Sequence, residues 1–239
     1  MSGHSHWATI KRGKEAEDKK RAQTFSKLSR VVSVAAKKNK DPDMNPTLRI
    51  AIEQAKRANM PNDNIERAIK KGIGELQGEI LEEFCFEAYG PAKSALIITG
   101  ITSNRNRTLT EVKQLLLHNN AKLASEGSVK WQFENMGVII LEIPENTEQN
   151  GLEMAVIEAG ADDIKKRNGF MEIYTKPENL EGTKKTLEDR GLNIESADLG
   201  WMAKEEMDIN EKEKASLKKL FEVLDDNDDV QEIYSNIKL

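Results

Sequence analysis

Apolar residues recur every three or four positions in the N-terminal part of the chain, a spacing typical of amphipathic helices that share a core. Three such stripes follow one another, and each predicts one helix. They consist of Ala22, Phe25, Leu28, Val32 and Ala35, then Leu48, Ala51, Ile52, Ala55 and Ala58, then Ile65, Ala68 and Ile69. Asn45 before Pro46 predicts the start of the second helix, and Gly72 is expected to cap the third. The pattern therefore predicts a three-helix bundle.

Further along the chain apolar residues recur at every second position, a spacing typical of strands with one buried face. The segment "EFCFEAY" alternates in this way, and "SALIITGIT" and "SVKWQFE" are expected to form a second and a third strand. The residues predicted on the buried face of the first strand are Phe84, Phe86 and Ala88. Between the second and third strands we expect a helix from Thr108 to His118, because Thr108 and Glu111 have the spacing of a capping box.

The segment 136–203 carries the signals of a complete structural unit. Its strands are expected at "GVIILEI", "DDIKKR", "FMEIYT" and "NIESADLGWM", with helices after the first and the third. This is the strand and helix order of a ferredoxin-like split unit. A helix over 212–224 and the strand "VQEIYSN" then remain, and we expect them to return to the sheet that begins near Phe84.

The predicted fold class is α+β with three domains. A basic three-helix bundle, residues 1–76, precedes two ferredoxin-like α/β domains. The second domain is expected to be discontinuous, comprising residues 79–134 and 208–239, and the third domain, residues 135–207, to be inserted into it.

Charge is divided unevenly along this chain of 239 residues, whose formal net charge is −5. Up to Gly74 there are 17 basic and 8 acidic residues, a balance of +9, and after it 19 and 33, a balance of −14. Such asymmetry indicates a polyanionic partner for the basic segment, although charge runs are also common on faces that contact only water. Cys85 is the one cysteine, and neither a signal peptide nor a membrane span is visible, so we expect a cytoplasmic protein.

The basic residues near the N-terminus are candidate contacts to nucleic-acid phosphates, because each neutralised phosphate releases counterions. On a helical wheel, Lys20, Lys27 and Arg30 fall opposite the apolar stripe of the first helix. Trp7 is expected either to stack on a base or to anchor the N-terminal arm to the bundle. A second candidate is "SNRNRT", which is predicted to lie before a helix N-terminus and which an exposed arginine-rich loop would explain equally well. The complete candidate set is Lys11, Arg12, Lys14, Lys19, Lys20, Arg21, Lys27, Arg30, Arg49, Lys56, Arg57, Arg67, Lys70, Lys71, Asn104, Arg105, Asn106 and Arg107.

Catalytic and metal-binding patterns find little support in the sequence. His4 and His6 lie in the N-terminal arm, His118 lies at a predicted helix end, and no nucleophile has an identifiable base nearby. "DDNDDV" has the spacing of a calcium loop only in part, since Val230 stands where glycine is required, and a polar turn is the better interpretation. Glu172 replaces an aromatic residue that an RNA-recognition sheet would need for stacking. We therefore expect no enzyme activity, no cofactor and no metal, apart from a copper or nickel site that Ser2, Gly3 and His4 could form if Met1 is removed.

Several longer motifs run along nearly the whole chain. They are "GHSHWATIK", "DPDMNPTLRIAIEQAKRANMPNDNIERAIKKG", "EAYGP", "SNRNRT", "EGSVKWQF", "EAGADD" and "DDVQEIYSN". In this order they resemble the YebC/PmpR family of bacterial proteins. The resemblance implies a three-domain α/β structure and a probable transcriptional regulator, while some relatives act in translation at ribosomes stalled on proline runs. Mitochondrial relatives activate translation of cytochrome oxidase subunit I. The resemblance also implies that "SNRNRT" and the N-terminal arm are functional.

A few positions depart from the usual pattern of this family. Ala92 and Lys93 stand where two glycines are common, Ala121 and Ala124 stand at positions that are often glycine, and Ser103 replaces a frequent aspartate. These differences concern the detail of loops more than the fold.

The function predicted from the sequence is a non-enzymatic regulator of gene expression that binds DNA through its basic N-terminal domain. A first alternative is a translation factor that contacts ribosomal RNA or tRNA on the ribosome with the same residues. A second alternative is a protein-interaction module whose acidic domains bind a basic partner. No membrane and no small-molecule partner is expected, and the oligomeric state is left open.

Overall fold

Within residues 18–143, 149–167 and 169–238, which the computed structural model describes, three helices precede two four-stranded sheets. The helices are α1 Asp18–Ala36, α2 Pro46–Arg57, α3 Asn62–Gly72, α4 Arg105–His118, α5 Gln149–Glu158, α6 Leu180–Asp189 and α7 Glu211–Asp225. The strands are β1 Glu82–Tyr89, β2 Ala95–Thr102, β3 Lys122–Leu123, β4 Phe133–Glu142, β5 Asp163–Arg167, β6 Phe170–Thr175, β7 Ile194–Ala203 and β8 Val230–Ser235. No helix in the described ranges combines the length and the apolar character that crossing a bilayer requires.

Helices α1 to α3 form the predicted bundle. Asn45 caps α2, since its side-chain oxygen accepts a hydrogen bond from the Leu48 backbone N–H at 3.2 Å while its amide donates to the Ala35 carbonyl at 2.8 Å. Gly72 is the last residue of α3 and Ile73 is the cap, a shift of one position from the expected end. The fully buried residues of the bundle core include Leu28, Val32, Leu48, Ala51, Ala55, Ile65 and Ala68.

The first sheet has the strand order β3-β1-β2-β8, and its neighbouring strands are antiparallel. β8 pairs with β2, with Leu96 opposite Ser235, so the chain returns at its C-terminal end to the sheet that β1 begins, as the sequence predicted. Phe84, Phe86 and Ala88 are buried against α4 and α7, which confirms the alternation in β1.

The second sheet has the order β5-β6-β4-β7, and α5 and α6 cover one of its faces. Its elements follow one another as strand, helix, strand, strand, helix, strand, which is the split ferredoxin-like arrangement. This unit lies in sequence between β3 and α7, both of which belong to the first sheet domain. The predicted α+β fold class, with the third domain inserted into the second, is therefore confirmed.

The prediction that "SVKWQFE" supplies a strand to the first sheet is wrong. Lys130–Gln132 forms a short 3-10 turn, Phe133 begins β4 in the second sheet, and the place beside β1 is taken by β3. The cause is the buried carboxylate of Glu87, which accepts backbone hydrogen bonds at 2.6, 2.7 and 2.8 Å and curls this segment. The donors are Gly127, Val129 and Lys130. Burial alone raises the pKa of Glu87, but these hydrogen bonds outweigh it and the pKa is lowered.

Helix α4 begins at Arg105, earlier than the predicted start at Thr108. Asn104 is the N-cap, and its side-chain oxygen accepts a hydrogen bond from the Arg107 backbone N–H at 3.1 Å. Thr108 lies one turn inside the helix, where its buried hydroxyl is 2.5 Å from Asp229 Oδ2. The motif "SNRNRT" is thus a cap and a first helical turn, and not a free loop.

The turn between β1 and β2 holds two adjacent residues in the left-handed region, Ala92 with φ 57° and Lys93 with φ 60°. This conformation costs an L-residue about 1–2 kcal/mol, whereas glycine adopts it freely. We expect Ala92→Gly to raise the free energy of unfolding in urea by about 0.5–1 kcal/mol, after allowing for the greater entropy of glycine in the unfolded chain. Ala215→Gly, at an exposed position of α7, is the control. This substitution should lower the free energy of unfolding by about 1 kcal/mol. A loss of stability in both variants would show that the left-handed turn is not strained.

Candidate nucleic-acid interface

The first group of candidate residues belongs to the N-terminal arm and the start of α1. Lys11, Arg12 and Lys14 lie outside the described residues, as do the side chains of Lys19 and Lys20. Trp7, which is expected either to stack on a base or to anchor the N-terminal arm, also lies outside them. The contribution of these residues to phosphate binding stays a prediction.

Lys27 is buried, although a helical wheel places it opposite the apolar stripe of α1. Its side chain is 4% exposed, and its Nζ donates to the Asp225 carbonyl at 2.7 Å and lies 3.2 Å from Asp225 Oδ1. Gln23 Nε2 donates to the carbonyl of Asp226 at 2.8 Å. These carbonyls belong to the C-terminus of α7, where helical C=O groups lack intrahelical partners and a positive charge is favoured. Helix α1 therefore has a second buried side, which docks on the C-terminal end of α7.

Two arginines from distant parts of the candidate set meet at one carboxylate, Asp229, which precedes β8. Arg30 Nη1 forms an ion pair with Asp229 Oδ1 and also donates to the carbonyls of Ile101 at 3.1 Å and Asp228 at 2.9 Å. Arg107 Nη2 lies 3.0 Å from Asp229 Oδ2. Arg30 comes from the bundle and Arg107 from α4, so this carboxylate joins the first two domains.

The Asp229 side chain is 4% exposed, whereas the two arginine side chains reach solvent in part. The hydroxyls of Thr102 and Thr108 lie 3.0 and 2.5 Å from its Oδ2. Burial by itself raises the pKa of Asp229, but the hydrogen bonds from Thr108, Arg107 and Arg30 outweigh it, so that the pKa is lowered. The carboxylate is thus held in its charged form by the residues that surround it.

Helix α2 carries candidate residues to the third domain. Arg49 Nη2 is 3.3 Å from Glu181 Oε2 on α6, and Arg57 Nη1 donates to the carbonyl of Glu195 on β7, an edge strand. The same elements are joined by Glu53 with Lys184 at 2.7 Å and by Gln54 with Asp198. Arg49 and Arg57 therefore bridge two domains, which the sequence did not predict.

A separate group of cations remains on the outer surface of the bundle. Arg67, Lys70 and Lys71 are exposed and share one face of α3, because their spacing is three and four residues. Arg21 on α1 and Lys56 on α2 are exposed as well. None of these five side chains forms an ion pair with another residue in the described part of the chain. They are the candidate residues that the structure leaves available to a polyanion.

The first turn of α4 offers a second cationic position. Arg105 is exposed and its guanidinium carbon lies 5.5 Å from the centre of the Phe86 ring, a cation–π geometry that orients the side chain. Asn106 is exposed, and its backbone carbonyl accepts a hydrogen bond from Thr110 Oγ1 at 2.9 Å. Asn104 acts as the cap of the helix. Of the two arginines in "SNRNRT", Arg105 is therefore the one without a carboxylate partner among the described residues.

The acidic partners in these contacts were not singled out from the sequence. Asp225 and Asp229 belong to "DDNDDV", which its partial calcium-loop spacing predicts to be a polar turn. Both carboxylates instead bind cations of α1. The signal that could have found them is the run of acidic residues, which complements the basic first helix.

Within the described ranges, no three His, Cys, Asp or Glu side chains are grouped so that they could hold a metal ion. His118 is exposed, and its Nδ1 lies 2.7 Å from the Gln114 carbonyl. Burial raises the pKa of the Cys85 thiol, which disfavours the nucleophilic thiolate.

Sequence models of two protein regions match this chain. The model of the TACO1/YebC protein N-terminal domain matches residues 5–75, and that of the TACO1/YebC second and third domain matches residues 81–237. The residues between the two matches, 76–80, belong to the linker between the bundle and β1.

Individual relatives match over the full length. A probable transcriptional regulatory protein from Halothermothrix orenii is 43% identical over 242 residues, which cover 100% of this chain and 96% of the relative. One of the same name from Persephonella marina is 46% identical, with coverage of 100% and 96%. The crystal structure of a conserved hypothetical protein, Aq1575 from Aquifex aeolicus, has a TM-score of 0.90 and 42% identity, covering 98% of this chain and 97% of that one. The resemblance seen in the sequence motifs is thus confirmed, and the chain belongs to the TACO1/YebC family.

Proposed function

We propose that this protein is a regulator of gene expression that binds the phosphate backbone of nucleic acid through exposed cations of its N-terminal bundle. The observation that carries the proposal is the row formed by Arg67, Lys70 and Lys71 on α3, whose charges have no carboxylate partner in the described part of the chain. Cations that are free of partners and share one helix face attract a polyanion more strongly than cations already engaged in ion pairs.

The choice of target follows from the relatives, which carry the name probable transcriptional regulatory protein. We propose DNA as the target on this basis. Ribosomal RNA presents the same phosphates, so the cations alone favour neither polymer. Co-sedimentation with ribosomes, compared with gel shift on promoter DNA at the same physiological salt concentration, distinguishes the two. Binding to ribosomes without binding to DNA would assign the protein to translation.

The test of the interface is a variant with Arg67→Ala, Lys70→Ala and Lys71→Ala. We expect its affinity for duplex DNA to fall about ten- to hundredfold at low salt, since three phosphate contacts are lost. The slope of log affinity against log salt should become shallower by about 2–3, at roughly 0.9 for each contact. Fluorescence anisotropy with a labelled duplex over a series of salt concentrations measures both quantities.

The matched control replaces three exposed lysines of α7, Lys212, Lys218 and Lys219, with alanine. It removes the same charge from a helix in the acidic part of the chain. If the two variants lose affinity equally, only the net charge matters and α3 is not the contact. If the unsubstituted protein binds neither duplex DNA nor ribosomes at low salt, the proposed function is wrong.

A further inference from the structure

A groove of about 510 Å³ lies between α1 and the segment that follows α3. One wall is the side of α1 that carries Ser26, Ser29 and Ser33, and the other is the linker from Gly74 to Leu81. Pockets of about 300–1,000 Å³ accommodate small organic ligands, so the groove has room for one nucleotide.

The α1 wall is unusually rich in hydroxyls. Ser26, Ser29 and Ser33 share one face of the helix, because they are spaced by three and four residues. Ser33 is buried and donates to the Ala68 carbonyl at 2.8 Å, which fastens α1 to α3. Ser26 and Ser29 make no hydrogen bond to another residue in the described part of the chain. Their hydroxyls are therefore available to a ligand.

Three cations line the same groove, namely Arg30, Lys37 and Lys71. The hydrogen bonds of Arg30 to the second domain all use Nη1, which fixes the guanidinium while Nε and Nη2 remain as donors. Lys37 donates to the Leu81 carbonyl, and Lys71 is exposed on the opposite side. Glu79 is the single carboxylate among the lining residues. Fixed arginine donors beside free hydroxyls are well suited to a phosphate group.

The linker wall is apolar where the helix wall is polar. Leu76, Ile80 and Leu81 line it, and the Ile80 side chain is 85% exposed at the edge. Gly78 leaves space, because a Cβ built there would lie 3.8 Å from the nearest atoms of Lys71. A ligand that fits both walls has an anionic end and a flat apolar face, as a nucleotide has.

We infer that this groove holds one unpaired nucleotide of a single-stranded segment, with the phosphate against Ser29, Arg30 and Lys71 and the base against Leu76 and Ile80. The inference rests on the proposed function and adds a single-stranded segment, bound in the groove, to the duplex that α3 contacts. A duplex keeps its bases stacked and paired inside, so it cannot place a nucleotide in a recessed groove, whereas single strands present bases to apolar surfaces.

The test introduces one carboxylate into each wall of the groove, in the variants Ser29→Glu and Gly78→Glu. We expect the affinity for a short fluorescein-labelled oligouridine to fall about tenfold in each, since a charge-assisted contact to phosphate is replaced by repulsion. Ser216→Glu, at an exposed position of α7, adds the same charge elsewhere and should leave this affinity unchanged. The affinity for a blunt-ended duplex should change in the groove variants no more than in Ser216→Glu.

Ser29 is half-buried, so thermal denaturation checks that Ser29→Glu remains folded, and Gly78→Glu tests the linker wall independently. Unchanged oligouridine affinity in a folded Ser29→Glu and in Gly78→Glu would overturn the inference, and so would an equal loss for oligouridine and duplex. Displacement of oligouridine from the unsubstituted protein by uridine monophosphate at equal concentration would assign the groove to a free nucleotide and also overturn it. The proposed function survives these outcomes as long as the α3 triple variant loses duplex binding.

Discussion

The Asp229→Ala variant is expected to lower the free energy of unfolding by roughly 2–4 kcal/mol. The substitution removes the acceptor for Arg30 and Arg107 and leaves the buried hydroxyls of Thr102 and Thr108 without their anionic partner. Both arginines reach water in part, which keeps the cost below that of a fully buried unpaired charge. Urea denaturation followed by circular dichroism measures the change.

Asp228→Ala is the matched control, because Asp228 is the exposed neighbour and contributes only its backbone carbonyl to Arg30. We expect the free energy of unfolding of this variant to stay within about 0.5 kcal/mol of that of the unsubstituted protein. If both substitutions had the same small effect, the Asp229 ion pairs would add nothing measurable and the contact between α1 and the second domain would depend on other residues.

The same carboxylate predicts how stability depends on pH. The pKa of Asp229 is lowered from its ordinary value of 3.8 in the folded protein. A group whose pKa is lower in the folded state stabilises the fold above its unfolded pKa, and this contribution is lost as the pH falls through the folded pKa. The difference in unfolding free energy between the unsubstituted protein and Asp229→Asn should therefore be constant near neutral pH and shrink below about pH 4. A difference that grows as the pH falls would contradict this assignment.

The Gly72→Ala variant is expected to destabilise the protein by roughly 2–3 kcal/mol. A Cβ at this position would lie 2.1 Å from the backbone carbonyl oxygen of Ser33 and 3.0 Å from the Ala36 Cβ. A backbone oxygen cannot move aside as a flexible side chain can, so α1 and α3 would have to separate. The better helix propensity of alanine offsets only a small part of this cost at the end of a helix. Thermal and urea denaturation both measure the effect.

Gly182→Ala provides the comparison, since Gly182 lies within α6 and, apart from the adjoining backbone of that helix and its two chain neighbours, no atom would lie within 4 Å of its Cβ. The free energy of unfolding of this variant should rise by about 0.5–1 kcal/mol, because alanine loses less backbone entropy on folding than glycine does. If Gly72→Ala were also stabilising, the two helices would be less tightly packed than the distance indicates. The groove beside Ser33 would then be wider than proposed.

Local patterns in the sequence were sufficient for most of the secondary structure. The period of three and four residues located the bundle helices, and the alternation of Phe84, Phe86 and Ala88 identified β1 with its buried face. These predictions succeed because a helix or strand buries one face whatever its partner is. The return of β8 to the first sheet could also be predicted, since a strand left without a neighbour in sequence must pair elsewhere.

Predictions failed where a long-range hydrogen bond altered the local preference. "SVKWQFE" has the alternation of a strand, but Glu87, far away in sequence, binds three of the backbone N–H groups at its start and in the preceding turn. Thr108 has the spacing of a helix cap, but its hydroxyl is buried against Asp229. Asn104 caps the helix instead. No periodicity in the sequence carries this information, because the partners meet only in the folded chain.

The sequence by itself determined where the positive charge lies and that the bundle would carry it, because formal charge and helical spacing are local properties. Only the tertiary structure decided which cations remain available. Lys27, Arg30, Arg49 and Arg57 contact the other two domains, whereas Arg67, Lys70 and Lys71 are exposed. A helical wheel shows the side of a helix that avoids its own core, but a second domain can bury that side as well, and its position depends on contacts between residues far apart in the chain.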